Sequence, residues 1–246
     1  MYSFGLRLAG LNILASVNFK STVDFCRDYL ADFDAPDITV SVDLSDLTYE
    51  RESSKNESEN EGKAQLVFSD EYLETLALYR RITEKLVDFG VILFHGSAIS
   101  LDGEVYLFTA KSGTGKSTHT RLWREYFGNR AIMVNDDKPL ISINDNGVTV
   151  YGTPWNGKHK LGANISAPLK AICILERSPQ NRITECDAMA EFPKILSQTY
   201  RMNSPLFMKS TLVLLDKLLH KVRVYRLGCN MDIEAAEVAY NGMKGN

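Results

Sequence analysis

Residues 112–118, SGTGKST, combine glycine, lysine and hydroxyl side chains at the spacing of a loop that binds phosphate groups. Gly113 and Gly115 allow backbone N–H groups to approach phosphate oxygens closely. The ammonium of Lys116 can neutralise the β- and γ-phosphates of a nucleoside triphosphate, and the Ser117 hydroxyl is placed to bind Mg²⁺. The pattern therefore predicts a nucleotide site.

The segments on both sides of this loop support that prediction. Val105, Leu107 and Phe108 predict a buried strand that leads into it. An apolar stripe that includes Trp123 and ends at Gly128 predicts a helix that leads out of it. A chance Gly/Ser-rich turn is the alternative, but strand, loop and helix in this order are the context that a phosphate loop requires. The predicted nucleotide-binding residues form one run: Ser112, Gly113, Thr114, Gly115, Lys116, Ser117 and Thr118.

One position departs from the common phosphate-loop pattern, G-x-x-x-x-G-K-[ST]. The residue five positions before Gly115 is Ala110, where that pattern has glycine. The departure removes only the glycine at the end of the strand, and the two glycines nearest the lysine are kept.

Two adjacent carboxylates, Asp136 and Asp137, follow an apolar run in the segment VNDDKP at 134–139. A strand that ends in acidic residues just after the loop helix is where a phosphate-loop protein keeps its second magnesium contact. Two carboxylates also allow one to hold metal while the other accepts a proton. A solvated Asp-Asp turn is the alternative, and the position after the loop favours the functional interpretation.

A histidine precedes the phosphate-loop strand. His95 lies in FHGSA at 94–98, at the end of an apolar strand, and the small residues Gly96 and Ser97 follow it. A lone histidine is usually a structural or surface residue. Both an active-site position and a structural one stay open for His95.

The combination of HGSA, a following strand, SGTGKST and NDD resembles the HPr serine kinase/phosphorylase family and its phosphoenolpyruvate carboxykinase-like relatives. The match covers residues 91–176 well and the rest of the chain loosely, and the family is less strict at the position of Ala110. The resemblance implies an α/β fold. Its main part is a phosphoenolpyruvate carboxykinase/HPr kinase-like P-loop domain with a mixed sheet, preceded by a small α/β N-terminal unit.

The resemblance also implies ATP and Mg²⁺ as cofactors, with phosphoryl transfer to a serine hydroxyl. By motif, Lys116 and Ser117 hold phosphate and metal, and Asp136 supports the metal. Asp137 and His95 face the reacting hydroxyl or a second metal. The catalytic residues implied are Asp137, Asp136, His95 and Lys116, and the metal ligands implied are Ser117 and Asp136.

Two departures limit the resemblance. Carboxykinase activity is not expected, because the chain is shorter than is usual for those enzymes. The HPr kinase signature after the Asp pair is not recognisable, and YGTPWNGKHKLGANIS stands in its place at 151–166. The glycines there predict a close-approach loop, with Trp155, Lys158 and His159 as candidate contacts to the phosphate acceptor. An ordinary hairpin loop with a packed tryptophan is an alternative that stays open.

The elements that position these residues follow from the apolar patterns. Residues 1–63 predict a small α/β unit that ends in a mobile polar loop at 51–63. Residues 64–246 predict a P-loop kinase-like catalytic domain. The first unit should hold two strands that turn at Ala9-Gly10, a helix across 22–30 and a strand near 38–44. The predicted strands of the second cover 91–94, 104–109, 131–135, 139–143, 148–151, 169–175 and 222–227. Its predicted helices cover 72–86, the segment after the phosphate loop, 188–199, 205–221 and 232–243.

Composition narrows the partners and the compartment. The net charge of −3 gives no electrostatic case for a nucleic acid or an anionic membrane as partner. Four scattered cysteines, with no C-x-x-C pair, indicate a reducing compartment. The apolar N-terminus has Arg7 inside it and lacks a basic leader, so we expect a cytoplasmic protein.

Two functions of different classes fit these features. The first is an ATP-dependent kinase that transfers the γ-phosphoryl group to a hydroxyl, a seryl group of a protein, peptide or small molecule. The alternative is an ATP-binding regulatory module without a dedicated acceptor. Asp137 and His95 favour the enzyme, because binding alone would need only the loop. The acceptor's identity, the base preference, a reverse phosphorylase activity and a homo-oligomeric assembly stay open.

Overall fold

The computed structural model describes residues 1–60, 67–157 and 159–245, without the side chains of residues 57, 58 and 60. Contacts divide the chain into two units, Met1–Leu86 and Val87–Asn246. The sequence analysis placed the division after residue 63. The difference is helix α3, Asp70–Leu86, which packs against the sheet of the first unit.

The first unit is a small α/β sheet structure, as predicted. Its sheet has the order β1-β2-β3, with β1 antiparallel to β2 and β2 parallel to β3. Ala9 and Gly10 both have positive φ, 51° and 80°, and close the hairpin that shifts the apolar phase of the two strands. The elements before α2 are β1 Tyr2–Leu8, β2 Leu11–Val17, α1 Lys20–Phe25, a 3₁₀ turn Arg27–Tyr29 and β3 Ile38–Ser41.

The segment predicted to be a mobile polar loop, 51–63, is helical where the structure describes it. Helix α2 spans Leu44–Asn60, so the prediction is wrong for residues 51–60. Residues 61–63 lie outside the described residues. The low hydrophobicity of this segment therefore led to a wrong prediction for residues 51–60.

Charged contacts account for this polar helix. Asp43 and Asp46 form a reciprocal cap at its start, in which each carboxylate accepts from the backbone N–H of the other. Arg80 on α3 donates to the carboxylates of Asp46 and Glu50 on α2. The Arg80 side chain is only 12% exposed, so these ion pairs are shielded from water and hold α2 more firmly than surface pairs would.

The second unit is built on a mixed sheet with the order β4-β8-β9-β10-β6-β5-β7, in which β12 pairs with β10 and with β11. Strand β10 is parallel to β6 and to β12, and the other pairings are antiparallel. The strands are β4 Val91–Leu93, β5 Ser97–Leu101, β6 Glu104–Thr109, β7 Ala131–Asn135, β8 Leu140–Asn144, β9 Gly147–Tyr151, β10 Ser166–Arg177, β11 Arg182–Cys186 and β12 Arg223–Cys229. The helices are α4 Lys116–Phe127, α5 Phe192–Ser197, α6 Pro205–Lys221 and α7 Glu234–Met243, with 3₁₀ turns at Val87–Phe89 and Gly128–Arg130.

Strand β6 is buried on both faces, because the sheet carries helices on both sides. Val105 and Leu107 face a core that includes α6. Tyr106 and Phe108 face a second core that includes α4 and α7. The near-continuous apolar run of β6 follows from this double burial.

Strand β5 was not among the predicted strands. Its position determines which ends of the neighbouring strands lie at the same edge of the sheet. It lies antiparallel between β6 and β7, with Ser97 opposite Phe108 and Ala98 opposite Asn135. The start of β5 and the carboxyl ends of β6 and β7 therefore share one edge of the sheet. No helix among the described residues has the length and apolar character needed to cross a membrane.

Candidate functional site

The loop between β6 and α4 has the strand–loop–helix arrangement that the sequence predicted. Gly113 and Gly115 have φ of 76° and 125°, conformations that residues with a Cβ rarely adopt. The Thr114 N–H donates to the carbonyl oxygen of Lys111 over 3.1 Å and tightens the turn. Ala110 is 5% exposed and belongs to the α4–α7 core, so a methyl group is accommodated where the common pattern has glycine.

Two basic side chains contact this loop from different positions. The Lys116 ammonium donates to the carbonyl oxygen of Ala110 over 3.3 Å. Burial lowers the pKa of Lys116, and the nearby carboxylate of Asp137 opposes that shift. Arg177, at the end of β10, donates to the carbonyl oxygens of Gly113 over 2.6 Å and Thr114 over 3.4 Å. Arg177 thereby occupies two loop carbonyls that would otherwise repel a phosphate.

The Asp pair is held by Asn135, the last residue of β7. The fully buried Asn135 side chain accepts from the backbone N–H groups of Asp137 and Lys138, at 2.9 and 2.7 Å. Its amide group donates to the Thr153 hydroxyl over 2.9 Å. The two aspartates differ in exposure to solvent. Asp136 is 5% exposed, whereas the Asp137 side chain is 33% exposed.

The glycines of the 151–166 segment allow close backbone packing, and Gly157 packs against Asp136. A Cβ on Gly152 would lie 1.9 Å from the carbonyl oxygen of Ala163, and one on Gly157 would lie 2.9 Å from Oδ2 of Asp136. The Gly157 N–H donates to Oδ1 of Asp136. The loop backbone must therefore approach Asp136 closely at Gly157. The Gly157 hydrogen bond fixes the orientation of the Asp136 carboxylate.

The three candidate acceptor contacts in this segment have different outcomes. Trp155 is 4% exposed, and its carbonyl oxygen accepts from Asn135, so its side chain is packed within the protein. The alternative of a packed tryptophan is confirmed. Lys158 lies outside the described residues. His159 is exposed and lines a cleft with Ser117 and Asp136.

His95 lies beside Asp137 in the structure. It precedes β5, and its Nε2 is 3.5 Å from Oδ1 of Asp137. Its Nδ1 lies 3.1 Å from Oε1 of Gln198, and its backbone N–H donates to the Gln198 carbonyl oxygen. Burial lowers the pKa of His95 and the Lys116 ammonium lowers it further, whereas Asp137 and the Gln198 hydrogen bond act in the opposite direction.

The hydrogen bonds of Gln198 assign the proton on the His95 ring. The Gln198 amide nitrogen donates to the Ser197 hydroxyl over 3.1 Å, which leaves its oxygen facing Nδ1 of His95. Nδ1 of a neutral ring therefore carries the proton, and the lone pair of Nε2 faces the Asp137 carboxylate. Two acceptors that face each other across 3.5 Å favour a proton donor beside them. A substrate hydroxyl is such a donor.

Clefts lie on different sides of the loop within the second unit. One of about 400 Å³, the Asp136 cleft, is lined by Ser117, Asp136, Arg124 and His159 among others. One of about 540 Å³, the Gln198 pocket, is lined by Ala110, Lys111, Lys194 and Gln198 among others. A third, of about 650 Å³, lies between the loop and the segments that follow β10 and β12, and we call it the β12 pocket.

The residues predicted to bind magnesium fit an oxygen-ligated cation. The Ser117 hydroxyl and the Asp136 carboxylate line the same cleft, and Mg²⁺ prefers such oxygen ligands together with substrate phosphates and water. Within residues 1–60, 67–157 and 159–245, no three histidine, cysteine or acidic side chains gather as a metal cluster.

Comparison with known proteins gives a weak structural likeness. No family model and no curated protein matches this chain. Among solved structures, the HPr(Ser) kinase/phosphatase from Coxiella burnetii resembles it with a TM-score of 0.36 and 12% sequence identity. The likeness covers 62% of this chain and 99% of that one.

Sequence reasoning missed three residues that organise the site. Gln198, which bonds His95, is 103 positions away from it and carried no motif. Arg177 follows an apolar strand and carried no signal either. Asn135 could have been found, because an asparagine before two polar residues is typical of a turn in which the side chain accepts from backbone N–H groups.

Proposed function

We propose that this protein is an ATP-dependent phosphotransferase that passes the γ-phosphoryl group of Mg-ATP to a hydroxyl, a seryl group of a protein, peptide or small molecule. The observation that carries the proposal is the meeting of His95, Asp137 and the Lys116 loop at one edge of the sheet. A loop supplies phosphate binding. A carboxylate facing an unprotonated ring nitrogen supplies a site for a hydroxyl that must lose a proton.

Each residue has a role that follows from its surroundings. The N–H groups of 113–117 and the Lys116 ammonium bind the phosphates and stabilise charge on the transferred group. Asp137 takes the proton of the acceptor hydroxyl, whose oxygen bonds to the γ-phosphorus while the bond to the β-phosphate oxygen breaks and ADP leaves. His95, held by Gln198, lies beside Asp137 and offers Nε2 as a second acceptor to the hydroxyl. Bound Mg²⁺, on Ser117 and Asp136, would neutralise negative charge on the phosphates.

The alternative, an ATP-binding regulatory module, would need the loop and the magnesium ligands only. It gives no reason for a hydrogen-bonded histidine to face a half-exposed carboxylate beside the phosphate loop. The motif resemblance to the HPr serine kinase/phosphorylase family supports the enzyme and a cytoplasmic acceptor. Incubation with γ-labelled ATP and a cell lysate, followed by identification of the labelled molecule, tests the proposal. Labelling that persists in Lys116→Ala would contradict it.

The proposed transfer should lose rate as the pH falls, with a midpoint below the ordinary histidine value of 6.5, because the pKa of His95 is lowered. Below that midpoint Nε2 is protonated and donates a hydrogen bond to Asp137. This hydrogen bond competes with the one from the acceptor hydroxyl to the same carboxylate. The rate should be constant above it. A pH profile of single-turnover transfer measures this, and His95→Gln should shift or flatten the acid limb. An unchanged limb in that variant would remove His95 from the proton chemistry.

Asp136→Asn should raise the magnesium concentration for half-maximal transfer about tenfold or more, because a ligand carboxylate is replaced by a neutral amide. Gly157→Ala should act in the same direction, since its Cβ would lie 2.9 Å from Oδ2 of Asp136. Asp145→Asn, at an exposed turn, makes the same change of charge away from the site and serves as the control. Magnesium titrations of transfer at saturating ATP give the comparison. Equal requirements in Asp136→Asn and Asp145→Asn would exclude Asp136 as a ligand.

A further inference from the structure

We propose that the β12 pocket binds the nucleoside part of the nucleotide, and that the Nδ1–H group of His119 donates a hydrogen bond to an acceptor atom of its base. The inference rests on the proposed function, because it extends the site that binds the phosphates. It adds a specificity residue that no motif singled out.

The first observation is the position of the pocket. It lies at the carboxyl ends of the parallel strands β6, β10 and β12, where α/β sheets bind ligands. Its lining includes Gly113, Gly115 and Thr118 of the phosphate loop, so a ligand can extend from the loop into it without leaving the protein surface. Its volume, about 650 Å³, is within the range of small-molecule sites.

The second observation is the chemistry of its walls. Leu175, Pro179 and Met231 contribute apolar surface suited to the flat face of a base. The Gln198 pocket has four charged lining residues, Lys111, Glu176, Arg177 and Lys194, whereas the β12 pocket has Arg177 alone. The Asp136 cleft is on the side of the magnesium ligands. The β12 pocket is therefore the cleft that fits the nucleoside.

The third observation is an unpaired donor on a buried ring. His119 is 2% exposed and is a lining residue of the β12 pocket. Its Nε2 lies 3.1 Å from the Trp123 indole nitrogen, which can only donate, so Nε2 accepts and the neutral ring carries its proton on Nδ1. Among the described residues, Nδ1 has no hydrogen-bond partner. A buried donor without a partner is costly, and a ligand acceptor would remove that cost.

The Trp123 indole N–H, which donates to Nε2 over 3.1 Å, keeps the proton of the neutral ring on Nδ1. The ring also packs edge-on against Phe108, with centroids 4.6 Å apart, which fixes its orientation. The donor is therefore held in place before a ligand binds.

The test compares Mg-ATP with Mg-tripolyphosphate, which has the phosphates and lacks the nucleoside. On the wild-type protein, Mg-ATP should shift the NMR signal of the His119 Nδ1–H group and protect Cys229, a pocket residue, from N-ethylmaleimide. Mg-tripolyphosphate should do neither, and the partly exposed Cys186, outside the pocket, should react equally in all samples. These measurements need no variant and so do not depend on its folding.

Variants then assign the donor. His119→Phe should weaken Mg-ATP binding about fivefold, the size of one hydrogen bond, and leave Mg-tripolyphosphate binding unchanged. Trp123→Phe removes the Trp–His bond but keeps the donor, so it should keep the preference for ATP. Equal weakening of both ligands, or an Nδ1–H signal and Cys229 reactivity that ATP leaves unchanged, would overturn the pocket assignment. If neither Mg-ATP nor Mg-tripolyphosphate bound the wild-type protein, that result would instead overturn the proposed function.

Discussion

Replacing Asp137 by asparagine is expected to slow phosphoryl transfer about a hundredfold or more, as removal of a general base commonly does. The substitution keeps the shape of the side chain and removes its capacity to take a proton from the acceptor hydroxyl. A serine hydroxyl is a weak nucleophile at neutral pH, so the loss falls on the chemical step. Nucleotide affinity should change little, because in the proposed site the loop and Lys116, and not Asp137, bind the phosphates. Single-turnover transfer to the acceptor that lysate labelling identifies, with ATP binding measured separately, gives both quantities.

Asp145→Asn is the matched control for this variant, because it removes one carboxylate from an exposed turn of the same unit. It should transfer at the wild-type rate. Transfer by Asp137→Asn at a rate close to wild type would assign the base to another group. A large loss of ATP affinity in Asp137→Asn would place that carboxylate in the nucleotide site instead.

Lys116→Ala is expected to remove the stabilisation that Mg-ATP gives to the folded protein. A ligand held at about a hundred times its dissociation constant stabilises the state it binds by roughly 2.7 kcal/mol. The Lys116 ammonium is held at the loop by Ala110 and is the charge available to the phosphates there, so its loss should weaken binding at millimolar nucleotide. Thermal unfolding with and without Mg-ATP measures the change in Tm. Transfer should fall with it.

Lys217→Ala, at an exposed position of α6, removes the same charge away from the loop and should keep the full Tm shift. The Tm without ligand should be similar in both variants and in wild type, so a difference seen only with Mg-ATP reports binding. An equal ATP-induced shift in Lys116→Ala and wild type would show that this lysine does not bind the nucleotide.

Local sequence signals predicted much of the fold. The change of apolar phase at Ala9-Gly10 predicted the first hairpin, and the apolar runs predicted at 139–143 and 148–151 correspond to β8 and β9. Two elements were not predicted from the sequence, for physical reasons. Helix α2 is held by ion pairs to Arg80, which lies outside its own sequence. Strand β5 is short, and its alternation is hidden because every residue from Ser97 to Leu101 is buried.

The site likewise contains residues that local sequence patterns predict and residues whose surroundings depend on the folded chain. The phosphate loop and the Asp pair are local patterns, so the sequence could predict them, and the structure places Lys116 near Asp137. The environment of His95 depends on Gln198, which only the folded chain brings beside it. The sequence left open whether Trp155 is packed, and its burial depends on the folded loop, which approaches Asp136 closely at Gly157.

Transfer of label from γ-labelled Mg-ATP to an acceptor hydroxyl, compared between wild type, Lys116→Ala and Asp137→Asn in the same lysate, tests the central claim most directly. The account predicts an acid-stable phosphoester on an acceptor with wild type, at least about a hundredfold slower labelling with Asp137→Asn, and none with Lys116→Ala. No phosphoester above the Lys116→Ala background, or equal labelling by wild type and Asp137→Asn, would contradict it.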